Sequence, residues 1–495
     1  MDLRLKKISR TRYTWHNATN NMITNPLHFF YPENEKDIQA IVAEAESQGL
    51  RVRAVGSGHS FSEAAKGKDF LLDMKSMRNA FRYEASLIKA SFQTQNYVVA
   101  DAGITIRRLN RILDKMKLAL QNMGAVDFQT VSGALMTGTH GTGIKQPAFP
   151  DMVRAIRIVA TGGELIQIEP TEGITDPIAH AQNADIKLIQ DDDIFYSNVL
   201  SFGGMGIVYQ LILEVAPWFW IQEKRYLQNW TALKQELKDG RFMQKVEEND
   251  FVAFRVNPHK IDGDHLCSIV VQNILQPTPA LGFWAEGKRN VIAGIVSNME
   301  FLIEGLIRTI NRNPRKIKKR IQLSLKYSRV KNYMDKSFKV LYQHGAAVLR
   351  YGISSEFAFD AKAGKVIDVL ETIFEQTKYL SEYADLYHSA HIPVRFVMPS
   401  KAYLSSAYQR PTVYIDVPTL FTSIGDYEIL ERYQTMLMKL DGIPHWGKMN
   451  QMMYLDHPFI QSHFPKVQSW IKVRNQMDPK GTFLNDFIVK MGLNE

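Results

Sequence analysis

Arg51-Val52-Arg53-Ala54-Val55 runs straight into Gly56-Ser57-Gly58-His59-Ser60, a short strand delivering its chain into a glycine-rich turn. The glycines let backbone approach a phosphate closely and leave free amides to bind it. Position 61 is Phe61, so the third glycine of a Rossmann fingerprint is missing, which argues against a nicotinamide dinucleotide. Two further loops follow, Gly138-Thr139-His140-Gly141-Thr142-Gly143 and Gly203-Gly204-Met205-Gly206. One such loop is most often a plain turn. Three in one segment favour a large diphosphate ligand.

Around that turn, helices and strands alternate. Residues 34–48 place Ile38, Ile41, Val42 and Ala45 on one helical face, and Gly49 supplies the stop. Strands are predicted over 86–92 and 97–102. A helix is predicted over 105–117, and a hairpin over 154–168 that turns at Gly162-Gly163. An apolar strand over 206–215 closes this part. Pro217 and the cluster Trp218-Phe219-Trp220 mark a boundary, beyond which residues 218–470 mix strands and helices. There is no internal repeat and no low-complexity tract.

The chain has 495 residues, 45% apolar and 22% charged, an ordinary globular balance that excludes a disordered polyelectrolyte and a collagen-like fibre. Its length allows a large core and two or more domains. Cys267 is the one cysteine, which excludes a disulfide scaffold and any all-cysteine zinc or iron–sulfur site. The sequence suggests no metal centre. No stretch approaches the roughly 20 apolar residues of a spanning helix. The first residues, Met1 to Lys7, lack the apolar segment of a secretory signal, so a cytoplasmic protein is expected, or one peripheral on the inner face of a membrane.

The net charge of +9 is local: ten Lys/Arg and no Asp/Glu lie between Arg308 and Lys331, and without them the charge is −1. A nucleic-acid binder spreads its basic residues over a face or groove and carries a recognition motif, so nucleic acid is not an expected partner. Just before the basic run, Ile292, Ile295, Val296, Met299, Leu302, Ile303, Leu306 and Ile310 recur at helical spacing. An amphipathic helix followed by a polybasic segment suits an anionic membrane surface, here through 292–331. The alternative is a core-packed helix followed by a solvated loop.

Four stretches together carry a family resemblance. Val55-Gly56-Ser57-Gly58-His59-Ser60 resembles the flavin-attachment loop of the vanillyl-alcohol-oxidase superfamily. Val131-Ser132-Gly133 through Gly143 resembles its second FAD-binding stretch. Pro444-His445-Trp446-Gly447-Lys448 is similar to the His-Trp-(Ala/Gly)-Lys motif of sugar-lactone oxidases, and Asp478-Pro479-Lys480-Gly481-Thr482-Phe483-Leu484-Asn485 to that family's closing segment. The family is the aldonolactone oxidase group, which spans L-gulono-1,4-lactone, D-arabinono-1,4-lactone and alditol oxidases. The resemblance covers nearly the whole chain, in the family's order.

It implies a two-domain α+β flavoprotein, with an FAD-binding domain over 1–217, completed by 471–495, and a cap domain over 218–470 that supplies substrate groups. It implies FAD held by Gly56, Ser57, Gly58, His59, Ser60, Gly124, Gly133, Thr139, His140, Gly141, Gly143 and Ile207. Covalent attachment would run through His59, whose imidazole nitrogen can attack the electrophilic methyl of the oxidised ring system. Without the resemblance, His59 reads as a loop histidine bonded to backbone.

The reaction so implied oxidises a carbon-bound hydroxyl in a sugar lactone or polyol, passing hydride to FAD and on to oxygen. Such chemistry needs a group to receive the hydroxyl proton and positive charge for the developing anion. Lys448 matches the motif lysine, and His445 supports it or bonds the flavin. The family shows a Glu-x-Arg pair on one strand face; here the stretch is His391-Ile392-Pro393-Val394-Arg395-Phe396, which keeps Arg395 and puts Pro393 at the glutamate position. Proline has no titratable group and removes a backbone donor. Three accounts stand: another group such as Glu356 or His391 takes the role, the substrate differs from a sugar lactone, or turnover is lost while flavin binding persists. Alternation puts His391 on the face of Pro393 and Arg395, which favours it as the replacement. An edge-strand histidine at a solvent rim is the competing reading.

By motif offset, the residue beside the flavin carbon that meets oxygen is Gly124. Glycine leaves room for oxygen where the alanine of plant-type dehydrogenases obstructs it, which implies an oxidase yielding hydrogen peroxide. Ala125 lacks the hydroxyl seen in alditol oxidases and tilts the comparison toward lactones. The rivals are a dehydrogenase that passes electrons to a quinone or cytochrome at a membrane, and a flavin-binding protein without turnover.

Overall fold

The computed structural model describes residues 3–182, 185–276, 300–343 and 350–494. The 34–48 expectation forms a helix over Glu35–Ser47: Asn34 caps it by accepting from the Asp37 amide, and Ile38, Ile41, Val42 and Ala45 are buried. Gly49 ends it with φ +65°. The strand Val52–Val55 joins a four-stranded sheet, parallel to Phe70–Asp73, and releases the chain into the glycine turn.

A second sheet is built around Ile207–Pro217, which pairs antiparallel with Val153–Val159 on one side and Asn96–Asp101 on the other. The predicted hairpin is there, Val153–Val159 against Leu165–Glu169. The predicted strand over 86–92 is not. Two 3₁₀ turns, Ala85–Leu87 and Ala90–Phe92, occupy it. Leu87 and Ile88 are buried side by side in a small cluster with Tyr83, Tyr97 and Ile174, which a strand's alternation cannot do.

The third sheet has eight strands and begins with Trp220–Asn229, two residues after the second sheet's Ile207–Pro217 ends. Three neighbours in it matter most: Ile392–Val397, then Thr412–Leu420, then Gly352–Asp360, all antiparallel. Its far face packs the long helix Ala363–Tyr383 and the helix Trp230–Lys238 through Leu233, Val366, Leu370 and Ile373. The C-terminal residues Phe483, Phe487 and Ile488 pack into the same core as Val52, Phe70 and Phe202, and the Val52 amide donates to the Thr482 carbonyl.

Of the amphipathic stripe, Ile292, Ile295, Val296 and Met299 lie outside the described residues. The described part is the helix Glu300–Arg312, whose Ile303, Ile307 and Ile310 are buried near Tyr351, Tyr387 and Leu420. That half of the stripe packs on protein. No described helix is long and apolar enough to cross a membrane.

Candidate active site

A cavity of about 340 Å³ lies where the glycine loops meet the third sheet. One part of its wall is Gly56–Ser60, Gly133, Gly203, Gly206 and Ile207; another is Glu356, His391, Arg395, Asp416, His445 and Lys448. Gly124, Thr139, His140 and Gly141 complete it. Gly143, expected among the cofactor residues, is outside this wall. Its amide donates to the Phe396 carbonyl at 2.7 Å and it bridges to Val397, so it ties the second glycine loop to the third sheet.

The wall fits a dinucleotide. A Cβ on Gly56 would sit 1.9 Å from Thr130 Oγ1, so no side chain is tolerated where the turn passes the helix Val131–Met136. Gly141 has φ +131°, a conformation open only to glycine. Two buried polar atoms of the wall, Arg53 Nε and Gln129 Oε1, have no protein partner, which in a native interior signals an absent ligand or water. His59 faces the cavity, and burial, with Lys75 adding to it, pushes its pKa down to about 4. It is therefore a neutral imidazole at pH 7, the form with a free lone pair.

The His-Trp-Gly-Lys stretch is held from several sides. Trp446 is buried and donates to the Leu404 carbonyl at 2.6 Å. The Gly447 carbonyl accepts from the Phe61 amide at 2.9 Å, fastening the stretch to the end of the first glycine turn. The Gly447 amide donates to His445 Nδ1 at 3.0 Å, which leaves Nε2 as the protonated nitrogen, 3.2 Å from the Gly138 carbonyl. Burial pushes His445 down to about 3, so it is a neutral hydrogen-bonding strut between loops.

Lys448 Nζ donates to Ser354 Oγ at 2.9 Å and lies 3.7 Å from Glu356 Oε2 and 3.5 Å from Asp416 Oδ2. Arg395 Nη1 is 3.6 Å and His140 Nε2 3.3 Å from Glu356 Oε1. Burial resists ionisation of Glu356, but Lys448, His140 and Arg395 outweigh it and hold its carboxyl well below the usual range. Asp416 goes the other way: burial, reinforced by the Glu356 charge, raises it against the pull of Lys448. Glu356 Oε1 is thus faced by His140 and Arg395, whereas Asp416 Oδ1 is buried and accepts no hydrogen bond.

His391 does share the cavity with Pro393 and Arg395, as alternation predicts. It is half-buried, and burial, with Arg255 and Arg395 beside it, pushes its pKa down to about 3. A histidine that weakly basic is a poor proton acceptor at neutral pH, and the carboxylate facing Arg395 is Glu356, from a different strand. Asp416 was not anticipated. Its signal was a lone charge inside the apolar run Thr412-Val413-Tyr414-Ile415-Asp416-Val417. His140, Glu356 and His445 each present one ligand-type atom within 4.8 Å of the others, the one such group among the described residues. Both His445 nitrogens are already engaged, and Lys448 and Arg395 already face Glu356, so a metal cation there meets repulsion rather than free lone pairs.

Comparison with known proteins agrees with this architecture. A family described as FAD binding domain matches residues 26–169, and one described as D-arabinono-1,4-lactone oxidase matches residues 212–491. The L-gulono-1,4-lactone dehydrogenase of Mycobacterium tuberculosis is 26% identical over 96% of this chain and 97% of its own. The L-gulonolactone oxidase of Bos taurus is 24% identical over 94% of this chain and 95% of its own. Among solved structures, a cholesterol oxidase from B. sterolicum shares the fold, with TM-score 0.78 over 98% of both chains at 14% identity.

Proposed function

The chain belongs to the D-arabinono-1,4-lactone oxidase family, and from that premise we propose that it is an FAD-dependent oxidoreductase that oxidises a carbon-bound hydroxyl of a sugar 1,4-lactone with oxygen as acceptor. The observation that carries the reading is the buried carboxylate oxygen Asp416 Oδ1, which accepts no hydrogen bond, in one cavity wall with Glu356, Lys448 and Arg395. Buried acceptors of this kind call for donors, and a sugar lactone brings several hydroxyls.

Bound FAD supplies the hydride acceptor. Asp416 receives the hydroxyl proton at Oδ1, its raised pKa bringing its basicity closer to the working pH. Lys448 and Arg395 stabilise the negative charge that grows on the substrate oxygen as the proton leaves. Glu356 holds those two cations in place and accepts from a second substrate hydroxyl. His445 stays neutral and fixes the lysine's loop. In this reading the carboxylate function missing at Pro393 is met from the adjacent strand Thr412–Leu420 and from Gly352–Asp360 beyond it.

The flavin attachment point we assign is His59, supported by its place in the cavity wall and its neutral, nucleophilic state. Oxygen as acceptor is supported by Gly124 in the cavity wall, where no side chain takes up space. A peripheral anionic-membrane contact is supported by the exposed face of the helix Ile317–Tyr327, where Lys319, Leu323, Lys326 and Tyr327 line up at helical spacing. Loss of flotation with anionic vesicles on neutralising Lys316, Lys318 and Lys319 tests that contact.

The deciding experiment is anaerobic mixing with L-gulono-1,4-lactone, D-arabinono-1,4-lactone and a panel of alditols, followed by flavin absorbance. Bleaching by a lactone, then hydrogen peroxide on aeration, is the expected result. A flavin that no member of the panel bleaches would leave a flavin-binding protein without turnover.

A further inference from the structure

Arg53 is a buried cation with no anion. Its exposure is 7%, and among the described residues no carboxylate lies within ion-pair distance. Its side chain donates to the Ala64 carbonyl, and among the described residues Nε has no partner. Burial without a compensating charge depresses the guanidinium to about 9. A lone buried charge is among the most costly features a fold can carry, so it is retained where a ligand completes it.

The surroundings say which ligand. Arg53 lies on Val52–Val55, the strand that feeds the Gly56–Ser60 turn, and it lines the cavity. Its side chain runs toward the third glycine loop, where a Cβ on Gly203 would stand 2.8 Å from Arg53 Nη1. Two amide-rich loops and one uncompensated guanidinium thus converge on one part of the wall. Amide nests and arginine forks are the two standard recognition elements for phosphate.

We propose that Arg53 is the counter-ion of the cofactor's diphosphate. The guanidinium binds the phosphate oxygens, whose negative charge the amides of Gly56–Ser60 and Gly203 leave only partly neutralised. The adenine and the flavin ring take no part in this contact. The inference is independent of which sugar is oxidised.

The test uses the full chain in a His59→Ala background, so that any flavin is removable. ADP and adenosine are titrated by calorimetry into the apoprotein, then into Arg53→Met and Arg53→Lys. One lost charge-assisted phosphate contact should weaken ADP by about 10- to 100-fold in Arg53→Met. Adenosine, which has no phosphate, should stay within about twofold of the parent, and Arg53→Lys should fall between parent and Arg53→Met for ADP. Unchanged ADP affinity would overturn the assignment. Equal loss of ADP and adenosine would overturn it too, since that marks a packing role. If Arg53→Met does not fold, the ADP-to-adenosine ratio of Arg53→Lys decides: a lowered ratio supports the contact and an unchanged one ends it.

Discussion

Glu356 and Asp416 are direct cross-strand partners between Gly352–Asp360 and Thr412–Leu420, two buried carboxyls on one sheet face with Lys448 Nζ between them. Like charges directly opposite destabilise a sheet. The fold resolves the conflict by dividing their acidities. Burial penalises both, Lys448, His140 and Arg395 win at Glu356, and the Glu356 charge then helps to raise Asp416. Pairs of titratable groups pushed apart in this way mark acid–base assignments.

Asp416→Asn should lower the rate of anaerobic flavin reduction by about 10²- to 10⁴-fold, the usual value of a positioned base. The base works ionised, so parent activity should rise with pH through the raised pKa of Asp416. That acidic limb should be absent from the residual activity of the variant. A limb that persists unchanged in Asp416→Asn would assign the base elsewhere.

Lys448→Met gives a second sign check. Lys448 lowers the pKa of Asp416, so its removal should move the acidic limb of the pH–rate profile to higher pH as well as slow the reaction. A limb that stays in place would separate Lys448 from the Asp416 titration.

Glu356→Gln leaves Lys448, Arg395 and His140 without their shared anion and should cost about 3 kcal/mol in urea unfolding at neutral pH. The folded pKa of Glu356 is depressed. Its contribution is therefore complete above the unfolded carboxyl pKa and disappears as pH falls through the folded value. Parent and variant stabilities should converge only well below the ordinary carboxylate range; a gap constant with pH would point to lost packing instead.

Gly124→Ala puts a methyl 2.9 Å from Thr139 Cγ2, close enough to force a shift. Stopped-flow reoxidation in aerated buffer should slow more than anaerobic reduction does. Equal slowing of both half-reactions would mean that the position shapes the turn and has no special relation to oxygen.

His59→Ala should bind FAD without retaining it. Acid-precipitated parent should give a yellow pellet and the variant a colourless one, with the pigment in the supernatant. A colourless parent pellet would show that the cofactor is held by contacts alone.

Much of this protein was legible in local sequence, for a physical reason in each case. The glycine turn at 56–58 is readable because close backbone approach excludes side chains. The helix over 35–47 and the hairpin over 153–169 are readable because their periodicity and stop signals lie within a few residues of one another. The 86–92 stretch failed because Leu87 and Ile88 answer to Tyr83, Tyr97 and Ile174, which local spacing does not reveal.

The site divides along the same line. Sequence by itself determined which residues a glycine loop exposes and which motif carries Lys448, since both depend on neighbours in the chain. It also registered that Pro393 brings no carboxylate. Only the tertiary structure decided what stands in its place, because Glu356, Arg395 and Asp416 meet through strand register, at separations of 20 to 60 positions along the chain. Acidity follows the same rule: burial and the charges across a sheet set it, and neither is a property of any one stretch of sequence.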